Sequence, residues 1–267
     1  MRRALAIVIP AYNEERRLGP TLEAWRRFLD AEGVDGEIVV ADDGSRDGTA
    51  DLVRAAAAED GRVRLVALRP NRGKGAAVRA GVRAADAEVI AYVDADLNIA
   101  PAHVPAALAR IRAGADLVVG RRGLREYAGE ERSTARLVAG LAVQVTRRLL
   151  VLPTIVDTQA GFKVFRGPLA HEVFAATRID SFAFDIEALF LARRRGARIV
   201  EMPVTAEFRD ESTYDLRRHL PPFLRDIARI RLHALRGRYP RRVRGGGRRG
   251  RGASGRARTG TGPPPPG

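Results

Sequence analysis

The chain has 267 residues, 45% of them hydrophobic, with no cysteine and a formal net charge of +15. That length holds one large α/β domain or two small ones. The lack of cysteine excludes disulfides and thiolate metal sites and fits a reducing compartment, and no run approaches the 18 uninterrupted apolar residues of a membrane-spanning helix.

Ala4 to Ile9 is a continuous apolar run closed by Pro10, the pattern of a strand buried on both faces. The preceding Met1-Arg2-Arg3 does not make it a signal peptide, because the run is too short. Leu18 to Ala31 has helical spacing, with Leu22, Trp25, Phe28 and Leu29 on one face. Glu37 to Ala41 reads as a second strand, and Asp47 to Ala58 as a helix that Asp47 can cap. Val63 to Leu68 is a third strand, Gly75 to Ala85 an Ala-rich helix, and Glu88 to Val93 a fourth strand. His103 to Ala113 follows as a helix with Pro101 near its start, then Asp116 to Gly120 as a fifth strand. This alternation predicts a mostly parallel sheet flanked by helices, whose ligands bind beyond the carboxyl ends of the strands. Four polar clusters fall at such ends: Pro10 to Glu14, Asp42 to Ser45, Asn71 to Gly75, and Asp94 to Asn98.

The second half is less regular. Ser133 to Leu152 reads as an amphipathic helical region, Gly161 to Arg166 as a strand, and Asp185 to Arg195 as a helix. Ala197 to Phe208 is a strand signal bent at Pro203, and Leu216 to Leu235 a basic helical stretch. From Arg236 to Gly267 there are ten arginines and no acidic residue, leaving 37 basic against 32 acidic residues elsewhere, a net +5. This Gly/Arg/Pro tail is too poor in apolar residues to fold and reads as disordered, with a polyanion as its partner. The four histidines, His103, His171, His219 and His233, lack metal-ligand spacing and read as structural or surface residues.

The chemistry concentrates in Asp94-Ala95-Asp96-Leu97-Asn98, where a buried strand ends in two carboxylates one residue apart. Hard cations such as Mg²⁺ or Mn²⁺ take oxygen ligands and are commonly shared between one or two carboxylates and substrate phosphates. The same pattern also serves as a turn. Tyr12 offers a ring for stacking on a base, and Glu14 a carboxylate for a ribose hydroxyl. Asp42 and Asp43 are two adjacent carboxylates after the second strand. In Asn71-Arg72-Gly73-Lys74-Gly75, glycines bring backbone N–H groups toward an anion and Lys74 adds charge at a helix start. The spacing is not that of a Walker A loop.

Taken together, IPAYNEE (9–15), VVADDGSRDGT (39–49), NRGKGAAVRAG (71–81) and VDADL (93–97) resemble the family 2 glycosyltransferases of GT-A fold. DTQAGFKVF (157–165) and FDIE (184–187) narrow the resemblance to dolichyl-phosphate β-glucosyltransferases and the related dolichyl-phosphate mannose synthases. It spans roughly Ala4 to Phe208. It implies a GT-A, Rossmann-like domain over residues 1–235, with a nucleotide-sugar-binding half (1–120), an acceptor half (121–235) containing amphipathic helices, and the tail at 236–267. The resemblance implies that Pro10, Tyr12, Glu14 and Asp43 hold the nucleoside, with Asp42 nearby. It places Asp94 and Asp96 on the diphosphate through Mg²⁺ or Mn²⁺, with Asn98 completing the metal shell. Arg121 or Arg122 would neutralise phosphate charge, Lys163 would stabilise the acceptor or leaving phosphate, and Asp157 would orient such a cation. Asp185 is the acceptor-side carboxylate: a base for a hydroxyl acceptor, a positioning group for an already anionic polyprenyl phosphate.

The implied reaction is inverting transfer of a hexose from UDP-glucose or GDP-mannose to a polyprenyl or dolichyl phosphate. Relatives carry membrane helices; here the basic amphipathic stretches 133–152 and 216–235, with the polybasic tail, are the expected means of peripheral attachment to an anionic membrane on its cytoplasmic face. A soluble transferase acting on a hydroxyl, and a non-catalytic nucleotide-sugar or nucleic-acid binding protein, are the alternatives. Nucleic acid is the less expected partner, and the sequence gives no oligomeric state.

Overall fold

The computed structural model describes residues 2–122, 157, 158, 160–206 and 216–240, with side chains from 221 onward in the last segment. The expected helix at 133–152, Gln159, the end of the strand signal at 207–208, and tail residues 241–267 lie outside the described residues. Among the described residues seven strands form one sheet: β1 (Arg3–Ala11), β2 (Gly36–Asp42), β3 (Val63–Ala67), β4 (Ala87–Val93), β5 (Leu117–Arg122), β6 (Phe162–Arg166) and β7 (Ile199–Val204). Their order is β3-β2-β1-β4-β6-β5-β7. Every pairing is parallel except those of β6, which runs antiparallel to both β4 and β5. This is the mostly parallel, helix-flanked α/β sheet that the alternation predicts.

The helices are α1 (Glu15–Ala31), α2 (Thr49–Glu59), α3 (Lys74–Ala84), α4 (Val104–Arg112), α5 (Gly167–Ala176), α6 (Phe184–Arg194) and α7 (Leu216–Leu235). Strand alternation sends side chains to two cores. Leu5, Ile7 and Ile9 of β1 pack with Leu22 and Trp25 of α1 and with α2 and α4. Ala6 and Val8 pack on the other face with α3, α5, α6 and α7. The predicted inner face of α1, Leu22-Trp25-Phe28-Leu29, is buried throughout. Pro203 is accommodated because β7 is an edge strand, where a missing N–H breaks no interior ladder.

Two features differ from the sequence reading. Helix α5 has no counterpart in it, although Pro168 beside the helix start is a start signal. The tail boundary expected at Arg236 is also corrected. Arg236 to Pro240 are placed, and Tyr239 is buried because its ring packs on Phe190 and its hydroxyl donates to Glu187 at 2.6 Å.

The topology positions the site through the β1–β4 junction. Strands β1 to β3 are added in one direction and β4 lies on the opposite side of β1, so the topological switch point falls between β1 and β4. The β1–β4 ladder ends at Val8–Tyr92, leaving Pro10 and Ala11 of β1 parted from β4. The loops after the two strands are lips that flank the candidate cleft, whose lining comes from the β4 side.

Away from that cleft, Asp60 joins three elements. Its carboxylate receives the Arg62 N–H at 2.9 Å and the Arg62 guanidinium, and Arg26 of α1 reaches it at 3.2 Å. Hydrogen bonding from Arg62 outweighs burial and holds the carboxyl down to about 2. A carboxyl near 3.9 when unfolded then contributes stability that is full above about pH 4 and fades as pH falls through 2. Asp60→Asn is expected to lower stability at pH 7 by about 1–2 kcal/mol, with the difference closing by about pH 2. Urea unfolding of both proteins across pH 2–7 measures it.

Candidate active site

The first lip is the loop after β1. Asn13 adopts a left-handed φ of 55°, a conformation short polar side chains tolerate. Its N–H donates to Ser45 Oγ and its side-chain oxygen accepts the Arg46 N–H, both at 2.9 Å. The N-termini of α1 and α2 cap each other. Glu14 N–H donates to Thr49 Oγ1 at 2.8 Å, Glu15 N–H to Asp47 Oδ2 at 3.3 Å, and Gly48 N–H to Glu15 Oε2 at 3.1 Å. The cap expected at Asp47 falls instead on Gly48, while Asp47 accepts the Thr49 N–H at 3.1 Å from one residue ahead of the cap position. Pro10 is buried within β1, and Tyr12 stands exposed at the lip.

Asp42 and Asp43 are buried. Asp42 folds its own turn by accepting the Ser45 N–H and hydroxyl. Asp43 accepts the N–H groups of Arg72 (2.9 Å) and Gly73 (2.6 Å). A second cleft of about 490 Å³ opens beside them, lined by Gly44, Ser45, Arg46, Arg69, Pro70 and Asn71.

These bonds correct the reading of Asn71–Gly75 as a backbone anion cradle. The N–H groups of Arg72 and Gly73 go to Asp43, and that of Gly75 goes to the Asp180 carbonyl at 2.8 Å. The glycines serve close packing instead. A Cβ on Gly73 would overlap the Asp180 carbonyl oxygen, and one on Gly75 would lie 2.6 Å from the Ile179 oxygen and Phe184 Cβ.

The second lip is Asp94–Asn98. Asp94 Oδ1 accepts from Lys74 Nζ at 2.5 Å. Asp96 accepts the Asn98 N–H at 3.1 Å and its side-chain amide at 2.6 Å, in a turn that holds Leu97 at φ 54°. Thr21 of α1 pins this loop by donating to the Ala95 carbonyl at 2.7 Å. Asp94, Asp96, Asn98, Ile99, Arg122, Gly161 and Ala206 line a cleft of about 350 Å³.

Strand β6 brings Gly161 here. Because it runs antiparallel, its start meets the end of β4, and Asp94 N–H donates to the Gly161 carbonyl at 3.3 Å. A Cβ at 161 would overlap Asp94 Oδ2, so the carboxylate occupies room that only glycine leaves. Of the two candidate arginines, Arg121 is exposed and Arg122 lines the cleft. Asp157 grips Arg122 through both oxygens, at 2.9 and 3.1 Å. Among the described residues, the cation paired with Asp157 is Arg122.

Beneath the cleft lies a buried cluster. Tyr92 and Lys163 are directly opposite in the β4–β6 ladder and point toward α6, where Asp185 meets them. Lys163 Nζ is 2.8 Å from Tyr92 Oη, 2.8 Å from the Ala160 carbonyl and 3.0 Å from Asp185, and the Tyr92 hydroxyl donates to Asp185. Lys163 is fully buried with its three donors engaged by these partners. Asp185 and Glu187 are buried as well. The sequence reading missed Tyr92, Gly161 and Glu187 as parts of this architecture. Tyr92 is a polar-tipped residue inside an apolar strand, and Gly161 and Glu187 lie inside the DTQAGFKVF and FDIE motifs, so each carried a signal without an assigned role.

Charge follows geometry. Burial pushes the Asp94 carboxyl up, but Lys74, with Lys163 and Arg122, overcomes it and holds the group below the usual range. Asp157 is likewise held low by Arg122 against burial. Burial, reinforced by Asp94, raises Asp96. Burial also raises Glu14, with Asp96 and Asp94 adding to it against the Arg17 pair. Burial raises Asp185 despite Lys163 and Lys74.

The oxygen set of Asp94, Asp96 and Asn98 suits a hard divalent cation. Among the described residues no three or more His, Cys, Asp or Glu side chains come together as a metal-binding group. Two carboxylates and an amide leave coordination positions for substrate oxygens, the Mg²⁺-type arrangement.

The profile of Glycosyl transferase family 2 matches residues 6–174. The chain is 31% identical over 250 residues to a dolichyl-phosphate beta-glucosyltransferase of Dictyostelium discoideum, covering 87% of this chain and 75% of that one. It is 31% identical over 202 residues to an undecaprenyl-phosphate mannosyltransferase of Micrococcus luteus, covering 74% and 81%. The chain spans 62% of a dolichyl-phosphate beta-glucosyltransferase of Trichomonas vaginalis and 35% of the glycosyltransferase AglD of Haloferax volcanii. The fold matches glucosyl-3-phosphoglycerate synthase from Mycobacterium tuberculosis, crystallised with Mn²⁺, UDP-glucose and phosphoglyceric acid, at TM-score 0.62 and 20% identity over 86% of this chain and 79% of that one.

Removing the Lys163 charge leaves Asp185 buried without its nearest cation. Lys163→Met is expected to destabilise the protein by about 3–5 kcal/mol. Adding Asp185→Asn should recover part of that loss. A guanidinium double-mutant cycle in which the two effects simply add would disprove the coupling.

Proposed function

The chain belongs to glycosyl transferase family 2, and from that premise we propose that it transfers a hexose from a nucleotide-sugar to a polyprenyl phosphate with inversion. The observation that carries this reading is the cleft where the ends of β4 and β5 meet the start of β6, and where Asp94, Asp96, Asn98 and Arg122 converge. Relatives named for lipid-phosphate acceptors support the acceptor class.

In this reading the nucleoside lies against Tyr12 and the Asp43 loop, and the diphosphate faces Asp94 and Asp96. These carboxylates and Asn98 would hold Mg²⁺ or Mn²⁺, and room for the Asp94 carboxylate at Gly161 fits that role. A bound ion of this kind supplies charge neutralisation to the diphosphate. Arg122, fixed in its fork by Asp157, is preorganised to stabilise charge on the departing diphosphate. Lys74 at the start of α3 contributes a second cation beside Asp94. A phosphate nucleophile is already anionic at neutral pH and needs no strong base. Asp185, buried and bonded to Tyr92 and Lys163, is then a positioning group.

Among the described residues no helix is long and apolar enough to cross a membrane. The outward face of α7 carries Arg225, Arg229 and Arg231 with Leu232 and Leu235 exposed. That mixture fits a helix lying on an anionic membrane surface, which would bring the protein to its acceptor from the cytoplasmic side.

The test is incubation with Mn²⁺, a panel of labelled nucleotide sugars and a polyprenyl phosphate. The expected outcome is label from one donor in the organic phase, reduced about 10²–10³-fold in Asp96→Ala. Metal-dependent nucleotide release only with a hydroxyl acceptor would instead assign a soluble transferase, and no turnover with any acceptor would favour a binding protein.

A further inference from the structure

One chain segment touches both the C-terminal helix and the glycine loop that carries Lys74. Arg178 to Ala183 runs between α5 and α6 and is held from one side by Glu187, Tyr239 and Asp226, with the Arg178 guanidinium also donating to the Arg238 carbonyl at 3.3 Å. The Glu187 carboxylate accepts the N–H groups of Arg178 (3.0 and 2.9 Å) and Ile179 (2.8 Å). Tyr239, beyond the end of α7, donates its hydroxyl to that same carboxylate at 2.6 Å. Asp226 of α7 accepts the Ser181 hydroxyl at 2.7 Å.

On its other side the segment grips the loop before α3. The Asp180 carbonyl accepts the Gly75 N–H at 2.8 Å. The Asp180 carboxylate pairs with Arg79 and lies 3.6 Å from Arg72. The Phe182 ring centroid sits 5.8 Å from Lys74 Nζ. Gly73 and Gly75 have no room for a Cβ against this segment, so the contact is close as well as bonded. Lys74 in turn is 2.5 Å from Asp94.

We propose that Tyr239 and Asp226 are positioning residues for the donor side of the site. They strap the 178–183 segment, and the segment fixes the glycine loop so that Lys74 stays on Asp94. The proposal rests on the glycosyltransferase reading only for its kinetic consequence; the placement of the loop is a property of the folded chain. Neither residue touches the cleft, and a loss at either should act through the loop alone.

Amide exchange followed by mass spectrometry tests the placement, on the full chain. Tyr239→Phe removes one hydroxyl, and Asp226→Ala removes the acceptor for Ser181. Asp226→Asn keeps an acceptor oxygen. Ile111→Ala empties a site in the core on the opposite face of the sheet and serves as the control for general destabilisation. The expected result is exchange in the 71–78 peptide at least about 10-fold faster in Tyr239→Phe and Asp226→Ala, with Asp226→Asn close to wild type and Ile111→Ala unchanged in that peptide. In turnover assays the same two variants should raise the donor KM about 5-fold, leaving the acceptor KM unmoved.

Unchanged exchange at 71–78 in both variants overturns the proposal, as does equal loosening in Ile111→Ala or failure of Asp226→Asn to restore the loop. A donor KM that stays put while the loop loosens also overturns it. If wild-type protein turns over no nucleotide-sugar, the functional reading fails by itself and the exchange rates still decide the strap.

Discussion

Strand β6 runs against both of its neighbours, so its first residues, rather than its last, arrive at the edge where the parallel strands end. Gly161 therefore reaches Asp94, and Lys163 falls opposite Tyr92 in the ladder. A parallel strand in the same slot would bring its far end there. The cleft, its floor of buried polar groups and its link to α6 all descend from that reversal.

The second constraint is electrostatic. Asp157 and Asp185 are buried and Asp94 is partly so, which is costly for charged groups without partners. Each has a dedicated cation: Lys74 for Asp94, Arg122 for Asp157 and Lys163 for Asp185. Asp96 and Glu14 lie at the rim with raised carboxyls, since burial and neighbouring negative charge both act on them. The result is a graded arrangement, with paired ions below and less compensated carboxylates where a cationic or phosphate-bearing ligand would arrive.

Much of this was legible in the residues. Apolar runs such as Ala4 to Ile9 and the helical face of α1 read directly from periodicity, and the polar clusters at strand ends marked the rim. The direction of β6 did not, because GFKVFR has the same alternation read either way along a sheet. Its pattern does put Lys163 on the face of Phe165, an inward lysine that only a buried acid and hydroxyl make tolerable; the partners came from residues 92 and 185, far apart in sequence. Asn71–Gly75 misled for a related reason. Glycine marks close backbone approach whatever approaches, and here it is the segment around Asp180 rather than an anion. The tail boundary failed because one aromatic, Tyr239, anchors a segment whose average composition is that of disordered chain.

The empty Cβ position at Gly161 also determines which disturbances the site can absorb. Salt at a few tenths molar shortens the Debye length to well under about 10 Å and weakens exposed ion pairs, yet it leaves steric room untouched. A single added methyl at 161 changes no charge and would meet the Asp94 carboxylate head-on. At this point the site is tolerant of ionic strength and intolerant of volume, so its geometry is guarded by an atom that is missing rather than by one that is present.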